Sequence, residues 1–91
     1  MRVELESEIF DLHDSKGVPL SYIAHAFLEK GLFWSWEKWM EVAVSRGWTY
    51  DRIKKTIFSI NDEIYGKEWR KFKIAIPKLY LKIVDGNETQ T

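Results

Sequence analysis

Four glycines cut the first two-thirds of this 91-residue chain into short amphipathic segments. Gly17, Gly31, Gly47 and Gly66 each follow a stretch whose apolar residues recur at helical spacing. In the first stretch, from Glu4 to about His13, Leu5, Ile9 and Leu12 fall on one face. Pro19 suits the first turn of a second helix, and Leu20, Ile23, Ala24, Phe27 and Leu28 form its core-facing stripe. Ser35 is a good N-cap for a third helix carrying Trp36, Trp39, Met40 and Ala43. Thr49 caps a fourth, in which Tyr50, Ile53, Ile57, Ile60 and Ile64 follow at intervals of three and four until Gly66. The predicted core unites the last three helices around Phe27, Leu28, Trp36, Met40, Ile53, Ile57, Ile60 and Ile64.

The segment from Lys67 to Val84 supports two patterns. Trp69, Phe72, Ile76, Leu79, Tyr80 and Ile83 fit a helical stripe; Phe72, Ile74 and Ile76 followed by Leu79, Leu81 and Ile83 fit two alternating strands. Pro77 removes one helical hydrogen bond and disfavours the α conformation at Ile76. The reading leans to a helix bent or broken at Pro77, with a winged-helix-like β-hairpin at 70–84 as the alternative. The fold class is thus all-α, a compact four- to five-helix domain over residues 1–84, and residues 85–91 read as a disordered polar tail.

Charge is balanced overall but segregated. Fourteen basic side chains meet fourteen acidic ones. The first fourteen residues sum to −4, whereas Lys67 to Lys82 sum to +5. Zero net charge argues against nucleic-acid binding by bulk attraction alone, yet a dipolar chain can still present one basic face. Without cysteine there are no disulfide staples and no thiolate metal sites. No apolar run approaches the roughly 18 residues of a membrane span, and the acidic start lacks a signal-peptide core, so a cytoplasmic location without membrane contact is expected.

The stretch from Trp39 to Ile57 resembles the helix-turn-helix motif of DNA-binding proteins. Ala43 is small enough for two helices to cross closely, Gly47 can take a positive φ in the turn, Thr49 caps the second helix, and Ile53 and Ile57 seal it to the core. The resemblance implies that the second helix enters the major groove with its leading residues on base edges. Its exposed candidates are Thr49, Tyr50, Arg52, Lys54, Lys55 and Thr56. Arg52 would meet a guanine edge and the lysines would meet phosphates. Arg46, Lys71 and Lys78 would add backbone contacts. Arg46, Trp48 and Asp51 depart from the pattern: a cation replaces an apolar residue, the turn holds a large ring, and an anion sits where phosphates approach.

Other groupings point less to chemistry. Asp11, His13 and Asp14 lie close in sequence but lack the convergent partners a metal requires. Glu37 and Glu41 share a helical face beside basic neighbours, as surface pairs do. No nucleophile elbow, phosphate-binding glycine loop or HExxH pattern occurs, so no catalytic residue, metal or cofactor is expected. Fourteen aromatic side chains, five of them Trp, argue for a core of large rings. Phe33 and Trp34, in a loop run without polar relief, are candidates for a protein interface.

The sequence therefore predicts a small non-enzymatic nucleic-acid-binding protein, regulatory or architectural, acting on DNA with RNA left open. The alternative is a phage- or mobile-element-type accessory protein that contacts a larger host or viral machine. Either reading accommodates a homodimer.

Overall fold

The breaks predicted at Gly17, Gly31 and Gly47 follow real helix ends, and two of them use the same hydrogen-bond device. After the helix Trp36–Ser45, the N–H of Gly47 donates to the Val44 carbonyl and that of Trp48 to the Ala43 carbonyl, both at 3.0 Å. After Leu20–Glu29, Gly31 and Leu32 donate to Leu28 and Phe27 at 3.0 and 2.8 Å. These paired bonds satisfy the last carbonyls only if the intervening residue is left-handed. Gly47 has φ +84° and Gly31 +69°.

The computed structural model describes residues 4–60 and 65–89. Within them lie five helices and no strand: α1 (Glu4–Asp14), α2 (Leu20–Glu29), α3 (Trp36–Ser45), α4 (Tyr50–Phe58) and α5 (Lys67–Thr89). Helices α1 and α5 both pack against α3, and α4 packs against α5. The molecule measures 40 × 27 × 23 Å. Its long dimension is close to the roughly 34 Å that 23 helical residues span at 1.5 Å each.

Three expectations change. The winged-helix alternative is not supported, because α5 is helical across 70–84. Pro77 lies inside it without ending it. Trp69, Ile76 and Ile83 are buried at seven-residue intervals on both sides of the proline, so burial of one continuous stripe outweighs the lost backbone bond. Helix α5 also runs to Thr89, into the segment expected to be a tail; residues 90 and 91 lie outside the described residues. Finally, α4 stops at Phe58, earlier than the apolar spacing predicts. Ile60 is still buried, while Ile64 lies outside the described residues.

The core is centred differently from the prediction. Met40, Ile53, Ile57 and Ile60 are buried as expected, whereas Phe27, Leu28 and Trp36 are only partly covered. Ile9, Phe10, Trp39 and Ile76 are fully buried at the centre. Helix α1 presents Ile9 and Phe10 inward together with Glu6, leaving Leu5 and Leu12 partly exposed. Glu6 faces inward because it has a partner there. Its Oε2 accepts the Ser35 N–H at 2.9 Å, and the Ser35 hydroxyl accepts the Lys38 N–H at 3.2 Å. Two backbone donors at the start of α3 are thereby satisfied, one of them from a different helix. That contact fixes the entry of α3 and hence the position of Trp36.

The αL geometry at Gly47 gives a direct test. A Cβ there meets no atom within 4 Å, so only backbone strain opposes it. Gly47→Ala should lower stability by about 1–2 kcal/mol, read as a shifted urea midpoint with an unchanged slope.

Candidate functional site

A short turn joins the third and fourth helices. Residues Arg46–Thr49 join α3 to α4, Ala43 is fully buried, and the Thr49 hydroxyl accepts the Arg52 N–H at 3.2 Å. Trp48 fits the turn because α1 covers it. Its ring lies 4.8 Å from Phe10 and 5.9 Å from Trp39, centroid to centroid.

The acidic end of α1 lies against the same turn. Arg46 donates to Asp11 at 2.7 Å. Hydrogen bonding and the charge of Asp11 raise the Arg46 pKa above its usual value. Arg52 donates to Asp14 at 3.3 Å while its guanidinium rests 3.9 Å from the centroid of the Trp48 ring. Both arginines that the resemblance assigns to DNA are thus in use within the chain. These pairs are solvent-exposed and screened, so a stronger ligand can displace them.

Arg52 and Lys54 project to different sides of α4. Ile53 and Ile57 anchor α4 to the core. At about 100° per residue, Arg52 and Lys54 lie roughly 160° apart around that helix. Arg52 leans toward α1, whereas Lys54 lies 5.7 Å from the ring of Phe58, which Lys73 of α5 also approaches at 5.1 Å. Lys55 pairs with Asp51 at 3.0 Å and Lys71 with Glu68 at 3.6 Å. Lys78 is exposed on α5. Tyr50 is partly buried, its ring 5.0 Å from that of Tyr80.

Phe33 and Trp34 part company. Trp34 is buried, with its ring 5.0 Å from Phe27 and 4.8 Å from Trp36. Phe33 remains 70% exposed. It stands at the edge of an open groove of about 520 Å³ between the start of α3 and one side of α5. Trp36, Tyr65, Trp69, Phe72 and Leu79 form its apolar wall, and Glu37 and Glu68 add carboxylates. Ring centroids run 5.0 Å from Trp36 to Trp69 and 5.1 Å from Trp69 to Phe72, the latter pair stacked. Glu37 meets Lys82 at 3.5 Å rather than the nearby Lys38 or Arg46.

The sequence singles out Phe33 as an aromatic without cover, but not the groove beside it. Its wall is drawn from α3 and from the residues on either side of Gly66, which spacing alone cannot bring together. The one available signal is the aromatic pair Trp69 and Phe72 preceded by Glu68, which matches Trp36 followed by Glu37.

The described residues contain no group of three or more His, Asp or Glu placed to hold a metal, and none of their helices is long and apolar enough to cross a membrane. No protein-family model, curated protein or solved structure matches the chain.

Tyr65 reports on the groove through its titration. Burial pushes its phenol above the ordinary value of 10.0, and a hydrogen bond with Trp36 partly opposes that rise. Below pH 10 both folded and unfolded chains keep the proton. As pH rises further the unfolded chain loses it first, so the folded state binds more protons and stability falls. Tyr65→Phe should remove a late-titrating component from the tyrosinate absorbance and flatten the loss of stability above pH 10.

Proposed function

We propose that this chain is a small non-enzymatic interaction protein that contacts a larger protein partner through Phe33 and the aromatic groove beside it. The observation that carries the reading is the exposure of Phe33 next to a wall of partly buried rings. A large apolar side chain at 70% exposure contributes little to the fold. Beside Trp36, Tyr65 and Phe72 it extends a patch of the residue types that dominate binding energy at protein interfaces. The engagement of Arg46 and Arg52 with Asp11 and Asp14 supports the same choice, since a phosphate backbone would first have to displace those carboxylates.

A second reading, nucleic-acid binding through α4, is favoured by one specific observation: a four-residue turn with Gly47 at φ +84° between α3 and α4. In that reading a phosphate backbone would displace Asp11 and Asp14, and the affinity would fall steeply with salt.

Two variants separate the readings. Phe33→Ala should leave stability within about 0.5 kcal/mol, because the ring is mostly exposed. It should weaken a purified partner complex at least about thirtyfold, the scale of an interface hot spot. The triple change Arg52→Ala, Lys54→Ala, Lys55→Ala should leave that complex intact. Duplex DNA binding that is salt-dependent, lost in the triple variant and retained in Phe33→Ala would reverse the assignment.

A further inference from the structure

We propose that the outer face of α5 pairs with the same face of a second copy of this chain, as an antiparallel two-fold dimer in which Ile74 of each copy enters the pocket beside Leu81 of the other. This surface is separate from the aromatic groove.

Helix α5 carries two apolar stripes. Trp69, Ile76 and Ile83 face the core. Ile74 and Leu81 lie one heptad apart, and at about 100° per residue they stand roughly 150° around the helix from that buried stripe. They are 80% and 60% exposed. Neither contributes much to the fold from that position, whereas burial against a matching apolar surface is favourable. Pro77 is exposed between them.

Beside this face is an open pocket of about 360 Å³, lined by Tyr50, Pro77, Tyr80 and Leu81. The rings of Tyr50 and Tyr80, 5.0 Å apart, hold α4 and α5 together there. No charged side chain belongs to its described lining. An aliphatic side chain suits it, and the most exposed one on α5 is Ile74.

Self-complementarity identifies the occupant. The knob at Ile74 and the pocket at residues 77–81 sit on one helix, a turn or so apart. A two-fold axis crossing α5 between Pro77 and Lys78 reverses the second helix and brings Ile74 of either copy level with Leu81 of the other. Both knobs and both pockets are then used, as an isologous contact requires.

Charge selects the same orientation. On the outer face Lys67, Arg70 and Lys71 precede Ile74, and Asp85 follows Leu81. Antiparallel pairing sets Arg70 against Asp85 of the second copy at both ends of the contact. Parallel pairing would set Arg70 against Arg70 and Lys71 against Lys71. Arg70 and Asp85 also have contacts within their own chain, so each shares its charge between the two. Lys78 meets its counterpart near the axis, but its long stem keeps the ammonium in solvent. A helix face of roughly 34 by 10 Å offers less than the roughly 800 Å² per partner of a standard interface. The dimer is therefore weak, with a Kd on the order of 100 µM.

Sedimentation equilibrium of the full chain, from about 10 µM to about 1 mM, tests this. The average mass should rise with concentration toward that of a dimer. Ile74→Lys should weaken association at least about thirtyfold and leave a monomer throughout. Its side chain is mostly exposed, so the thermal melt should be unchanged. Phe33→Ala should dimerise as the unaltered chain does. Because the chain has no cysteine, single introduced thiols report the register. A short bismaleimide should join Lys78→Cys, beside the axis, into a covalent dimer. It should not join Lys71→Cys, which lies roughly 20 Å from its counterpart along the helix.

A chain that stays monomeric at about 1 mM would overturn the proposal and leave the face to a different occupant. So would a dimer indifferent to Ile74→Lys, or one lost in Phe33→Ala alone, which would place the contact at the groove. Cross-linking of Lys71→Cys in preference to Lys78→Cys would overturn the antiparallel arrangement.

Discussion

The contact between Trp36 and Trp39, with ring centroids 5.6 Å apart, joins the two halves of this protein. On one side Trp39 meets Phe10 and Trp48, binding α1 and the α3–α4 turn into the core. On the other, Trp36 meets Tyr65, Trp69 and Phe72, which line the outer groove. One chain of rings thus begins in a dry centre and ends at the solvent. Its energetics favour rings despite their polar atoms. The indole N–H groups of Trp34, Trp39 and Trp69 have no acceptor among the described residues. Each such donor costs about 1–3 kcal/mol. Burying about 150–250 Å² of ring surface contributes about 4–6 kcal/mol, so burial prevails.

Because large rings reach across the molecule, short helices suffice. Three of the five helices have only nine or ten residues, too few to persist alone in water. They depend on local caps and on the ring contacts together. Glu6 links these two sources of order. By accepting the Ser35 N–H from another helix, it sets where α3 begins and thus where Trp36 and Glu37 stand relative to α5.

Most of the fold is legible locally, since glycine, serine and threonine act on neighbours in sequence. Gly47, Ser35 and Thr49 each form the turn or cap that their side-chain chemistry implies. Misreadings arise where tertiary contact overrides a local rule. Pro77 argues against a continuous helix, yet Trp69, Ile76 and Ile83 bury a stripe that passes it. Leu5 and Leu12 mark the wrong face of α1, because a charged residue with a distant backbone partner takes the inner position. Trp34 and Phe33 are adjacent and chemically alike, but only Trp34 finds Phe27 and Trp36 to cover it. The candidate groove is less legible still, being assembled from segments some thirty residues apart. Charge segregation is visible in sequence, but its effect is not. The acidic first helix lies against the turn between α3 and α4, where Asp11 and Asp14 pair with Arg46 and Arg52, the two arginines the resemblance assigned to DNA.

The account's central claim is that contact with a partner occurs at the outer end of the ring chain and not along α4. A benzophenone-bearing phenylalanine placed at position 33, or in a parallel sample at position 54, measures this directly when irradiated in the cells that make the protein. The account predicts one dominant covalent protein adduct from position 33 and none from position 54. Adducts confined to position 54, with protein or with nucleic acid, would contradict it.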